Sequence, residues 1–247
     1  MMIGSLLKAI FAVFSAISGA VFIFFIKLDH KKLCALISFS AGALLGAAIF
    51  VLIPEAAGSL NFIEIFLSVL SGYLLFWFIS KYFAHVCPAC SASHFDEQTV
   101  KKFSEIVLTL ITALSIHSLL DGVALSTDGT GNGHDESLLI AILTHKFPEG
   151  LALAALMFGS NYPRGKVLRN VSLVEFSTVI GAIAGYFLFK SKLPASFLSA
   201  VMGHIAGGFV YLSIHAVLGE MLKHHTRLVI ISFILGILLI LSVHLMF

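Results

Sequence analysis

Two stretches of the chain hold the residue types that could do chemistry. In "LSIHSLLDGVAL" His117 precedes Asp121 by four residues, and in "AILTHKFPEGLAL" His145 precedes Glu149 by the same interval. Residues four apart on an α-helix share a face, so each segment presents one imidazole and one carboxylate to one side. A short connection makes the two helices antiparallel neighbours. In that hairpin His117, just past the middle of its segment, and Glu149, near the middle of the other, meet at one depth. Two imidazoles with two carboxylates suit zinc, and equally Fe(II), Mn(II), Co(II) or Cd(II). They match Mg(II) and Ca(II) poorly, because those ions take all-oxygen shells. A divalent cation between Asp121 and Glu149 cancels their charge. Without one the two carboxylates repel and one should hold a proton, so metal binding and proton loss are linked. Pro148 deprives the Thr144 carbonyl of its helical partner, which predicts a kink beside His145 and a further oxygen facing the site.

The elements that must position these groups are membrane helices. Of 247 residues, 59% are hydrophobic and 11% charged, with mean hydropathy +1.03; a soluble domain carries about a quarter charged residues. Apolar runs long enough to cross a bilayer as helices are Ile3 to Ile26, Leu33 to Ile53, Phe62 to Phe83, Phe103 to Leu125, Leu138 to Phe158, Val171 to Phe189, Phe197 to Leu218 and Leu228 to Phe247. The fold expected is therefore all-α, one polytopic transmembrane domain over residues 1–247 with eight helices, since a helix satisfies its backbone without water. Cationic residues set the orientation. The odd-numbered loops hold Lys27, Lys31 and Lys32; Lys81, Lys101 and Lys102; Arg164, Lys166 and Arg169; and Lys223 and Arg227. The even-numbered loops hold only Lys190 and Lys192. Both termini are expected outside (or in a lumen) and the odd loops in the cytosol. The net charge of +2 is a topology signal and gives no reason to expect nucleic acid. The membrane itself, plasma or organellar, is left open.

Several other features have plainer readings. Gly42 and Gly46, Gly181 and Gly185, and Gly203 and Gly207 fit small-xxx-small helix packing. Gly208 and the glycines closing the two acidic stretches, Gly122 and Gly150, are read as local flexibility. His204 and His215 are read as interhelical hydrogen-bonding groups, and Cys34 as packing. Glu55 is expected to face headgroups. The 84–102 segment, "HVCPACSASHF" within it, carries His85, Cys87, Cys90 and His94. That CxxC spacing flanked by histidines suits transient zinc handling in a reducing cytosol, against the alternative of a loop with incidental cysteines. His134, Asp135 and Glu136 lie in a glycine-rich outer loop, a solvated turn before a cation-attracting one.

The sequence resembles the ZIP (Zrt/Irt-like protein) family of metal-ion transporters. The resemblance rests on "HSLLDG" and "HKFPEG", with "LIPEA" (Leu52 to Ala56) and "VEFSTVIGAIAGY" (Val174 to Tyr186) beside them. It implies a transport site at His117, Asp121, His145 and Glu149, with the divalent ion and the bilayer as partners, and it allows a homodimer. Many members hold a second, adjacent metal, and that pattern falls on Ser118, Lys146 and Glu175 here. Lys146 stands where an acidic ligand is expected, and Ser118 where asparagine is frequent. An ammonium is a poor neighbour for a second cation, so Lys146 should pair with Glu175 and one ion should pass per site. The expectation is a secondary transporter carrying Zn2+, or another divalent transition metal, toward the cytosol by alternating access. No GxxxxGK[ST] phosphate loop supplies a nucleotide engine. Two alternatives are a membrane-embedded zinc hydrolase, using His204, His215 and Asp121 around an activated water, and a proton channel or structural membrane protein. The first lacks HExxH, and the second leaves the doubled histidine–carboxylate spacing unexplained.

Overall fold

A computed structural model describes residues 2–26, 29–83, 111, 114–126, 134–159, 162–190, 195–218 and 221–246. All regular structure among the described residues is helical. The helices are α1 (Met2–Phe22), α2 (His30–Ala47), α3 (Ile53–Ala57), α4 (Phe62–Phe83), α5 (Leu114–Leu125), α6 (His134–Gly159), α7 (Arg164–Lys190), α8 (Ala195–Leu218) and α9 (Met221–Met246). Five stretches are long and apolar enough to cross a membrane: Met2–Phe25, Cys34–Ala57, Phe62–Ile79, Arg164–Leu188 and Thr226–Met246. The remaining apolar runs of the sequence fall on α5, α6 and α8, and the first two of these carry the polar groups of the site. Phe11, Phe14, Phe66, Leu67, Leu235 and Leu238 are among the large apolar side chains left exposed. An outward apolar surface of this kind is what a hydrocarbon solvent permits.

Local chemistry sets the helix ends. Asp29 caps α2, its Oδ1 accepting from the Lys32 backbone N–H at 2.8 Å, and this bond holds the Asp29 carboxyl below its ordinary range. Asn61 caps α4 by accepting from the N–H groups of Ile63 and Glu64, while the Glu64 carboxylate reaches back to the Asn61 N–H at 2.9 Å. Between α2 and α3 the helix widens into a π-turn, Ala48–Leu52, with the Ile53 N–H bonded five residues back to Ala48. Pro54, lacking an N–H and crowding the carbonyl four residues earlier, gives the turn its local cause.

Four interfaces between helices distant in sequence are built on glycines, reciprocally. A Cβ on Gly19 would strike the Phe147 carbonyl, and one on Gly150 the Ala16 carbonyl, joining α1 to α6. Gly42 meets Phe233 and Gly236 meets Phe39 between α2 and α9. Gly72 meets His204 and Gly207 meets Val69 between α4 and α8, while Gly122 meets Thr178 and Gly181 meets Leu119 between α5 and α7. Beyond these crossing points the numbers climb together on both helices, Ser15 with Leu143 and Gly19 with Leu151, Gly42 with Phe233 and Gly46 with Ile237, Ser68 with Gly203 and Phe76 with Gly208, Ser115 with Ser177 and Ser126 with Gly185, so the partners run parallel. Gly46, Gly185 and Gly203 lie at the same interfaces, as the four-residue spacing predicts. Gly122 and Gly150 have a role that the flexibility reading did not include: they permit backbone contact. Gly208 likewise abuts the Phe76 ring. The stretch 84–102, with His85, Cys87, Cys90 and His94, lies outside the described residues, as does the His215 side chain.

Candidate metal-transport site

The four residues read from the helical spacing come together. One ligand atom from each of His117, Asp121, His145 and Glu149 can be chosen so that all four lie within 4.8 Å of one another. None of these residues is more than 2% exposed. α5 contributes His117 and Asp121 and α6 contributes His145 and Glu149, each pair one helical turn apart on a common face. Asp121 Oδ2 is the hub, 3.2 Å from His117 Nε2 and 3.5 Å from His145 Nε2. The shorter of these contacts is not aligned as a hydrogen bond, so His117 Nε2 remains a buried nitrogen without a hydrogen-bond partner. Glu149 Oε1 is likewise unpaired. His145 Nδ1 and Glu175 Oε1 are unpaired beside them, and because buried polar atoms are almost always satisfied, four such atoms around one cluster have the character of a site for a guest ion.

Lys146 is the residue whose contacts go beyond the sequence reading. It is fully buried, and its Nζ lies 3.1 Å from Glu175 Oε2, the pairing expected. The same nitrogen also reaches Glu149 Oε2 at 2.8 Å, Asp121 Oδ2 at 2.9 Å and the Ser118 hydroxyl at 2.7 Å. Ser118 donates in turn to Glu175 at 3.4 Å. Lys146 therefore binds the carboxylates of the histidine–carboxylate cluster as well as Glu175 and Ser118. The signal was present in the sequence, since Lys146 and Glu149 are three apart and share a helical face. Its ammonium also lies between carboxylates that would otherwise repel, the problem for which the sequence reading invoked a proton.

Phe209 of α8 is the participant that the sequence did not reveal. Its ring centroid lies 4.1 Å from that of His117 and 5.2 Å from that of His145, and it is fully buried. It belongs to an apolar cluster with Ala43, Leu44, Ala47, Ala48, Val51, Leu52, Ile205, Ala206 and Ile240. The wall behind the imidazoles is thus continuous with the π-turn of α2. Pro148 sits buried inside α6, which runs helically from His134 to Gly159 across it. His204 stands apart from the cluster and hydrogen-bonds Ser71 across the α4–α8 interface at 2.8 Å, as a packing histidine should. Cys34 is buried, its carbonyl accepting from the Ser38 hydroxyl at 2.7 Å.

Known proteins resemble this chain in sequence. A family model described as ZIP zinc transporter matches residues 89–244, more than half of the chain. The zinc transporter ZupT of Chlorobium chlorochromatii is 26% identical over 221 residues, covering 81% of each chain. The zinc transporter YKE4 of Saccharomyces cerevisiae is 25% identical over 215 residues, covering 77% of this chain and 61% of that one. Protein zntD of Dictyostelium discoideum is 31% identical over 143 residues, and this chain spans only 21% of its length. Helical architecture, a buried histidine–carboxylate cluster and these matches lead to one conclusion: the chain belongs to the ZIP zinc transporter family and is a multi-pass membrane protein.

Proposed function

We propose that the protein carries a divalent transition-metal ion, zinc foremost, across its membrane toward the cytosol, one ion at a time, through His117, Asp121, His145 and Glu149. Iron(II), manganese(II) and cadmium(II) fit the same donors. The observation that carries the proposal is the convergence of four ligand atoms within 4.8 Å, fully enclosed, on two helices. Ionisable groups buried at membrane depth are costly and mark a pathway by default. Family membership sets the hydrolase alternative aside, because ZIP members are transporters.

The charges of the metal-bound state agree with a single ion. With the carboxylates deprotonated, as metal binding requires, Asp121, Glu149 and Glu175 sum to three negative charges against one positive on Lys146, leaving two, which one divalent ion cancels. Enclosure on every side means that the ion reaches and leaves the site only when helices move, which suits alternating access. The parallel pairing of α1 with α6, α2 with α9, α4 with α8 and α5 with α7 supports eight crossings, because alternation gives the members of each of those pairs one direction. Both termini outside and a homodimeric assembly complete the proposal, as does metal handling by the 84–102 segment.

Uptake of radiolabelled zinc, iron, manganese and cadmium into proteoliposomes across imposed pH gradients tests it. Replacing both His145 and Glu149 with Ala should abolish uptake in cells with surface expression intact. Undiminished uptake would reject the site, and two adjacent metals bound at once between α5, α6 and α7 would reject the one-ion stoichiometry.

A further inference from the structure

We infer that Lys146 is an internal competitor of the transported ion: its ammonium holds Asp121 and Glu149 while the site is empty, and withdraws to Ser118 and Glu175 when a metal arrives. This rests on the transport reading above and adds to it a step that sets affinity and release.

The geometry gives the argument. An ammonium has three N–H donors, and Lys146 Nζ has four oxygens within 3.1 Å, from Ser118, Asp121, Glu149 and Glu175. One acceptor is always in surplus, so the ammonium can exchange partners within the cluster. The oxygen that it holds on Asp121 is Oδ2, the same atom that lies nearest to both imidazoles. A metal ligated by His117 and His145 together with Asp121 needs that oxygen, and the ammonium must give it up. Glu149 divides its oxygens similarly: Oε2 is held by Lys146, and Oε1 is unpaired. Once a metal has taken Asp121 and Glu149, Lys146 keeps a hydroxyl and a carboxylate, Ser118 and Glu175, so the displaced charge stays paired without leaving the protein. A buried cation left without such a partner would be strongly unfavourable.

Two consequences follow. The ion is bound more weakly than its donors alone would bind it, because every binding event breaks two charge-assisted contacts. It is also released faster, because a tethered cation a short distance away is ready to retake the carboxylates. Lys146 is accordingly a positioning residue that trades affinity for turnover.

The test compares zinc binding to the detergent-purified full chain, by isothermal titration calorimetry, with zinc uptake into proteoliposomes. Lys146→Met keeps most of the stem and removes the charge. Its dissociation constant for zinc should fall by about tenfold or more, the scale of a coupling between contacting groups, while maximal uptake also falls because release becomes slow. The double variant Lys146→Met/Glu175→Gln keeps the net charge of the group at its original value. It too should bind more tightly, whereas a lysine that only balanced charge would leave its affinity unchanged. Weaker or unaltered binding in the double variant overturns the inference. That result with normal binding by the unsubstituted protein leaves the transport reading standing, whereas absence of zinc binding by the unsubstituted protein removes both.

Discussion

Phe209 shows how one apolar residue can matter to a metal site without offering a ligand. An imidazole that is to bind an ion with one nitrogen must be held in orientation by something else, and here His117 and His145 both rest on the same ring. Replacing Phe209 with Ala should cost roughly 3–5 kcal/mol of stability, read as a lower unfolding temperature in detergent. Zinc binding should weaken as well, because both rings gain freedom. If the affinity is unchanged in the folded variant, the ring only fills space. The four clustered residues themselves were legible in the sequence, since their spacing alone puts them on facing sides of two helices. Phe209 was not, because no periodicity links it to His117, 92 positions away. Lys146 lies between these extremes. Its pairing with Glu175 could be expected from the resemblance, but its hold on Asp121 depends on the depth at which α5 and α6 cross.

Close approach of helix backbones governs the elements. In lipid, helices gain little from burying apolar side chains against each other, and packing contacts carry the association. The glycines of "HSLLDG" and "HKFPEG" each face a carbonyl on a helix outside the hairpin, Thr178 on α7 and Ala16 on α1. These stretches therefore carry the candidate ligands on one side and a docking groove on the other. Gly150→Ala and Gly122→Ala should each destabilise the protein by about 1–3 kcal/mol, as overpacking does. Gly165→Ala is the contrast: a Cβ there meets nothing within 4 Å. It lies in the first turn of α7 and should be neutral or stabilising by up to about 1 kcal/mol. Thermal unfolding of the three purified variants checks the signs. Spacing pointed to the helix-packing role of Gly42, Gly181 and Gly203, but the motif glycines were read as local flexibility, and only the fold reveals the opposing carbonyl. The π-turn had a visible cause in Pro54, although nothing in the sequence placed it beside the wall of the site.

At the scale of the molecule, composition and charge made the helical membrane character plain, while the pairing of helices could not be read because every large interface joins segments far apart in the chain. Orientation is open to a direct measurement. In a cysteine-free background, Ser59→Cys should react with a membrane-impermeant thiol reagent applied to intact cells, and Arg164→Cys only after permeabilisation, both positions being exposed. The opposite pattern would invert the proposed topology and the direction of transport with it.

The parallel pairs also impose an order on biogenesis. Contacts between α5 and α7 close loops of about sixty residues, whereas α2 must wait nearly two hundred for α9, and distant contacts form late. During synthesis the ligand-bearing hairpin and α7 can therefore meet while α2 still exposes Gly42 to lipid or to a chaperone. A ribosome halted before Met221 would leave a chain that has gathered its acids and imidazoles but lacks the helix that packs against α2.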